Sequence, residues 1–253
     1  MPLECAAPQC ELLVRQVLVL WDVDGTLIHN GGVSAETYAM AFEQLNGDPP
    51  VTPPETDGRT DYQIMRELFS ANGRTLTDAM ADRLFQALES AGAQNAPALR
   101  ERGGALPGAI AAVSALKDEP SLVQSVLTGN ILPNARVKLS AFGLDRYLDL
   151  DVGGYGSDDM VRANLVGAAQ RKARAKYGVD FDEGSTLLIG DTSRDVEAGL
   201  TGGALVLGVA TGKTPEHELR AADAHAVLAD LTDQVLFMKT VRRLLPLAPS
   251  AVS

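Results

Sequence analysis

Positive charge is scarce in this chain. Against 33 Asp and Glu there are 22 Lys and Arg, a formal net charge of -11 over 253 residues. Nucleic acid and anionic membranes are therefore poor partners unless a local basic patch reverses the field, and the sequence shows no such patch. Cysteine is nearly absent. Cys5 and Cys10 lie together near the start, without the second ligand pair of a zinc site or the framework of a disulfide-stapled secreted domain, and are expected to be plain surface thiols. His217 and His225 lie in a late polar stretch with no ligand partner at metal spacing and are expected at the surface. No apolar run approaches the roughly 20 residues that cross a bilayer. The opening "MPLECAAPQCELLVRQ" lacks the basic start and continuous apolar segment of a secretory signal, so a cytoplasmic protein is expected. Internal repeats and low-complexity segments are also missing. What is left is 45% hydrophobic residues, enough for one large core or a core with a smaller satellite.

Carboxylates occur in telling places. "VLVLWDVDGT", Val17 to Thr26, is an aliphatic run ending in Asp22 and Asp24, with Gly25 and Thr26 directly behind. Two acids that close repel each other unless a cation or a proton sits between them. Trp21, next to Asp22, points to the opposite face of a strand and is expected to pack on a covering helix. A helical stretch follows in "SAETYAMAFEQLNG", with Ser34 as its expected N-cap and Gly47 as its stop. Another is "TDYQIMRELFSANG", where Thr60 and Gln63 have the spacing of a capping box, and a third, "TDAMADRLFQALESAG", follows directly.

From about 105 onward the pattern alternates. "LVQSVLT", "STLLIGD" and "ALVLGVAT" read as strands; "PNARVKLSAFGL", "RANLVGAAQRKARAKYG" and "RDVEAGLTGG" read as helices. Such alternation predicts an α/β fold, a Rossmann-like parallel sheet flanked by helices. The helical stretch 31–104 interrupts it and is expected to be a small all-helical cap inserted after the first strand. The core is then 1–30 and 105–253, with hinges near Gly31, Gly32 and "GGALPG". Ligands of open parallel sheets bind at the carboxyl ends of strands. Polar residues stand at three of those ends: Asp22, Asp24 and Thr26; Thr128, Gly129 and Asn130 in "VLTGN"; Asp191 and Asp195 in "LLIGDTSRD".

These motifs, in this order and each at a strand end, resemble the haloacid dehalogenase superfamily over about 17–230, specifically its phosphoglycolate phosphatase-like members with a helical cap. The resemblance implies that Asp22 is the nucleophile and Asp24 the general acid and base. The dehalogenase branch carries an aromatic residue at the second position, so Asp24 points to phosphoryl transfer. The expected activity is Mg²⁺-dependent hydrolysis of a small phosphate monoester through an aspartyl-phosphate, which divides one hard step into two easier ones. One carboxyl with a raised pKa can protonate the leaving alkoxide and then activate water, and Gly25 permits the turn that swings Asp24 into place.

Thr128, Gly129 and Asn130 are expected to bind the phosphoryl oxygens. Asp22, Asp191 and the main-chain carbonyl of Asp24 are expected to ligate Mg²⁺, a hard ion that prefers oxygen. Asp195 would bind a metal-bound water or orient its neighbours. The superfamily usually has a lysine ahead of the last acidic motif, whereas this chain offers Arg162, whose planar fork is not a lysine point charge. Arg171 and Lys172 are expected to be solvated. In "GRTD", Arg59 is a substrate contact or simply precedes a helix capped by Thr60. His29 is not needed for proton transfer if Asp24 fills that role. The alternatives are a phosphosugar mutase of the same superfamily, resembling beta-phosphoglucomutase, and a phospho-aspartate signalling module. The partner is a small phosphorylated metabolite, and substrate identity and oligomeric state stay open.

Overall fold

The computed structural model describes residues 16–56, 58–117 and 119–245; Cys5 and Cys10 lie outside them. The strands are β1 Val17–Trp21, β2 Ile28–His29, β3 Gly104–Ala105, β4 Leu122–Thr128, β5 Gly154–Tyr155, β6 Thr186–Gly190, β7 Leu205–Val209 and β8 Ala226–Leu228. The α-helices are α1 Val33–Asn46, α2 Asp61–Ala71, α3 Ala81–Arg102, α4 Ala109–Lys117, α5 Leu132–Ala141, α6 Arg162–Tyr177, α7 Ser193–Gly202, α8 Glu216–Ala221 and α9 Gln234–Leu244. Short 3₁₀ turns fill several of the connections.

β1 is buried along its whole length, as an uninterrupted aliphatic run requires when both faces of a sheet are covered. Val17, Val19 and Trp21 face one cluster with α4, α5 and α9, while Leu18 and Leu20 face another with α6 and α7. Trp21 stacks on Phe237 of α9 at 5.8 Å and donates its indole N–H to Gln124 Oε1 at 3.1 Å. The expected packing of Trp21 against a helix is what the fold contains.

The sheet has six parallel strands in the order β5-β4-β1-β6-β7-β8. β1 lies between β4 and β6, with Leu18 opposite both Val123 and Thr186. Chain order reverses around β1, so the crevice above its carboxyl end is the switch point where open α/β sheets bind ligands. The three acid- and hydroxyl-bearing strand ends are therefore neighbours in space.

Helices α1 to α3 build a core of their own from Tyr38, Phe42, Ile64, Met65, Leu68, Phe69, Leu84 and Leu88. Phe42 and Phe69 meet edge to face at 5.0 Å. Thr60 caps α2 through the expected capping box with Gln63, and Gly47 closes α1 in a left-handed conformation. One expectation for this block is corrected. Ser34 does not cap α1; Gly32, at φ 84°, does, because the hinge glycines turn the chain two residues earlier. α3 runs through Gly92 and on to Arg102. An added Cβ at Gly92 would lie 2.1 Å from Asn134 Oδ1 of α5, so this glycine is a notch for close helix packing.

The two crossings between helical block and sheet are joined by a small antiparallel ribbon that the periodicity did not reveal, with Ile28 opposite Ala105 and His29 opposite Gly104. β5 and β8 also went unforeseen, because edge strands of two and three residues are too short to carry a periodic signal.

Candidate active site

Just past β1, the Asp22 N–H still donates to Ile189 O of β6 at 2.8 Å, which fixes the residue at the sheet edge. The chain then turns sharply. Gly25 sits at φ +94°, and an added Cβ would lie 2.5 Å from Asp191 Oδ2, so the turn needs glycine on both conformational and steric grounds. Thr211 Oγ1 pins the turn by donating to Gly25 O at 2.6 Å, and Thr26 Oγ1 donates to Asp191 Oδ1 at 2.9 Å.

Asp22, Asp191 and Asp195 are all buried and each offers an oxygen, the three lying within 4.8 Å of one another. Burial, then the charges of Asp195, Asp191 and Asp24, push the Asp22 carboxyl well above the ordinary range, and Arg162 only partly opposes them. Burial and Asp195 push Asp191 up to about 7, against the Thr26 hydrogen bond and Arg162. A cation would relieve this crowding. The donor set is all oxygen and anionic, so a hard divalent ion of the Mg²⁺ kind fits it.

Arg162, first residue of α6, enters from the side. Its Nη2 donates to Asp22 Oδ1 at 2.6 Å, and Nε with Nη2 grips Asp195 Oδ1. The two carboxylates hold this buried guanidinium protonated, their attraction outweighing its burial. Asp195 is itself fixed at the start of α7, its Oδ2 accepting from Thr192 N and Thr192 Oγ1 at 3.0 and 2.6 Å. Both of its oxygens are thus engaged by protein donors.

Asp24 differs from the expectation. Its carboxyl lies below its ordinary value: burial would raise it, but the Lys138 charge and hydrogen bond, with Asn30 and Asn130, outweigh that. Lys138 Nζ is 2.6 Å from Asp24 Oδ2, and Asn130 Nδ2 and Asn30 Nδ2 each donate to the same carboxylate at 2.8 Å. Arg162 is therefore not the only cation at the site. Lys138 was legible in one respect: it stands with Asn134, Ala135 and Leu139 on the buried side of α5, at the i, i+4 spacing of an inward face.

At the end of β4, Thr128 Oγ1 accepts from Asn130 Nδ2 at 2.7 Å. Gly129 O accepts from Asp61 N at 2.7 Å, so the first turn of α2 rests on this loop. Asp61 adds a second tie through its carboxylate, which accepts from Ile131 N and Tyr38 Oη at 2.8 and 2.7 Å.

Asp22, Asp24, Thr128, Asn130, Arg162 and Asp191 line one cavity of about 1000 Å³. His29 and Arg59 also border it; the Arg59 guanidinium is paired with Glu67 at 3.1 Å and Glu55 at 3.4 Å. Arg171 is exposed as expected, but Lys172 is not merely solvated: it donates to Gly153 O and Asp158 Oδ2 at 2.8 and 2.6 Å.

The haloacid dehalogenase-like hydrolase family matches residues 19–199. The chain belongs to that family, and it is a hydrolase. It is 26% identical over 242 residues to "Probable phosphatase IndB" of Dickeya dadantii, covering 93% of this chain and 98% of that one. It is 25% identical over 225 residues to "Pyrophosphatase PpaX" of Halalkalibacterium halodurans, covering 85% and 93%. Among solved structures, a hydrolase from Pseudomonas syringae superposes with a TM-score of 0.64 at 23% identity, over 89% of this chain and 99% of its own. No helix among the described residues is long and apolar enough to cross a membrane.

Proposed function

We propose that the protein is a Mg²⁺-dependent phosphatase that hydrolyses a small phosphorylated metabolite of the cytoplasm through an aspartyl-phosphate on Asp22. Residues 31–104 act as a cap over a core of 1–30 and 105–253. The observation that carries this reading is the opposite treatment of the two acids after β1. Asp22 is crowded by Asp191 and Asp195 beside Arg162, while Asp24 is held by Lys138, Asn130 and Asn30 at the cavity wall.

In the first step an Asp22 oxygen attacks phosphorus, and the alkoxide leaves with a proton from Asp24. In the second, Asp24 takes a proton from water, which attacks the aspartyl-phosphate and frees inorganic phosphate and Asp22. The lowered pKa keeps Asp24 ionised, the form in which it can accept a proton from water in the second step. An approaching phosphate dianion opposes that depression and favours the protonated form that the first step needs. Asp22, Asp191 and the main-chain carbonyl of Asp24 would hold Mg²⁺, which when bound supplies positive charge against the carboxylates and phosphoryl oxygens.

Thr128 and the Gly129 amide donate to the phosphoryl oxygens. The Thr128 oxygen accepts from Asn130, which leaves its own hydrogen to give. Asn130, whose amide hydrogens go to Asp24 and Thr128, acts by orienting those two side chains and, contrary to the expectation from sequence, does not itself donate to the phosphate. Arg162 balances charge at the nucleophile, and Asp195 holds Arg162. The cavity stands at the upper end of small-molecule sites, roughly 300–1,000 Å³, and accommodates a substrate of sugar-phosphate size under the cap.

Release of inorganic phosphate from a panel of small monoesters, with and without Mg²⁺, tests the proposal, together with trapping of a phosphoenzyme that Asp22→Asn cannot form. A phosphorylated isomer in place of free phosphate would establish the mutase instead. A long-lived phosphoprotein without turnover would favour the signalling module, although an acid/base two residues from the nucleophile works against a lasting phospho-aspartate.

A further inference from the structure

Each of the two acids after β1 has its own buried cation. Arg162 serves Asp22 from α6, and Lys138 serves Asp24 from α5. The second pairing is part of a closed network. Lys138 Nζ donates to Asp24 Oδ2 at 2.6 Å and to Asn130 Oδ1 at 2.7 Å, while Asn130 Nδ2 donates to the same Asp24 oxygen at 2.8 Å and to Thr128 Oγ1 at 2.7 Å. An ammonium group has only donors to offer, so Asn130 must turn its carbonyl oxygen to Lys138. Its amide hydrogens are thereby committed to Asp24 and Thr128. One lysine sets the orientation of the acid and of the neighbouring side chain on the phosphate loop.

The two Asp24 oxygens are held by different parts of the fold. Oδ2 is gripped by Lys138 and Asn130, both on the β4-α5 segment. Oδ1 accepts only from Asn30 among the described residues, and Asn30 belongs to the linker into the helical block, where its own Oδ1 accepts from Gly32 N. Lys138 is buried and pinned on a helix of the sheet layer. Oδ2 is thus held from the sheet layer by two donors, and Oδ1 by a single donor from the linker.

We propose that Lys138 is the positioning residue of the acid/base: it anchors Asp24 by Oδ2 and presents Oδ1 to the leaving-group oxygen. This rests on the reading of Asp24 as general acid and base. A packing role for Lys138 makes a different claim, because the lysine stem also fills space beside the α3-α5 contact, and methionine would fill it equally well.

The test is single-turnover phosphoenzyme formation with saturating Mg²⁺, comparing 4-nitrophenyl phosphate with the best alkyl monoester from the substrate panel, in wild type, Lys138→Met, Asp24→Asn and the double variant. General acid catalysis contributes roughly 10²–10⁴-fold to poor leaving groups and little to good ones. Lys138→Met should therefore slow the alkyl substrate at least about tenfold, slow 4-nitrophenyl phosphate less than about threefold, and lower the maximal single-turnover rate with the half-saturating substrate concentration little changed. In the Asp24→Asn background it should cost nothing further. Lys138→Gln, which keeps one donor and a polar tip, should fall between wild type and Met, and it carries the same cycle if Lys138→Met proves unstable. Equal losses on both substrates, or a full additional loss in the Asp24→Asn background, would overturn the role of Lys138 while leaving Asp24 in place. Leaving-group independence in Asp24→Asn itself would remove the acid/base reading underneath.

Discussion

Asp22 and Arg162 make the sharpest claims at the scale of single residues. Asp22→Asn keeps nearly the same shape but cannot attack phosphorus at a useful rate, and it removes one of the crowded charges. Turnover of every monoester should vanish while the circular dichroism spectrum and melting temperature are kept or improved. Activity within about tenfold of wild type would exclude Asp22 as nucleophile. Arg162 reaches Asp22 and Asp195 together through Nη2 while Nε also serves Asp195. A lysine has no fork with which to reproduce that. Arg162→Lys should therefore lower kcat/KM by about tenfold or more, and a fully active variant would show that only the charge matters.

Among the elements, α2 stands out because its first turn rests on the phosphate loop. Asp61 is buried, and its carboxyl rises to about 6, since burial outweighs the hydrogen bonds from Tyr38 and Ile131. The folded state then binds this proton more tightly than the unfolded chain, whose Asp titrates near the ordinary 3.8. The stability contribution of Asp61 is thus greatest below the unfolded value and is lost as pH rises through about 6. Asp61→Asn can still accept from Ile131 N and donate to Tyr38 Oη, and it is neutral throughout. Its melting temperature should gain on wild type between about pH 4 and about pH 7, by at most the equivalent of about 3 kcal/mol. A constant difference across that interval would contradict the raised carboxyl. Periodicity located α2 and its cap, but it could not show the helix docking on Gly129, because that contact joins segments far apart in sequence.

For the whole molecule the question is charge. Asp22, Asp24, Asp191 and Asp195 crowd together with Arg162 and Lys138 paired into them, Arg59, Arg194, Lys213 and Glu218 border the same cavity, a phosphate brings further negative charge, and the protein as a whole stands at -11. Chelation should therefore eliminate turnover, Mg²⁺ should restore it, and Ca²⁺ should not, since its larger and looser shell misplaces the nucleophile. Asp191→Ala should raise the Mg²⁺ concentration for half-maximal activity as well as lower the rate. Full activity in excess chelator, or an unchanged metal requirement in Asp191→Ala, would refute the metal site.

The sequence by itself determined the parallel α/β sheet, the helical block behind the first strand, and the acids at the strand ends. Each of these is written locally, in aliphatic runs, helical spacing and short motifs at turns. Tertiary structure alone decided which charge neutralises which. Arg162 could be assigned in advance because it stands where a familiar motif places a cation. Lys138 lies within a helix and points inward, and its pairing with Asp24 exists only because the β4-α5 segment packs beside the turn after β1. Desolvation and Coulomb attraction act through space, so Asp24, expected to have a raised pKa, instead has a lowered one. Gly92 follows the same logic: nothing along the chain marks its role, and only the approach of Asn134 makes it the interior notch of a long helix.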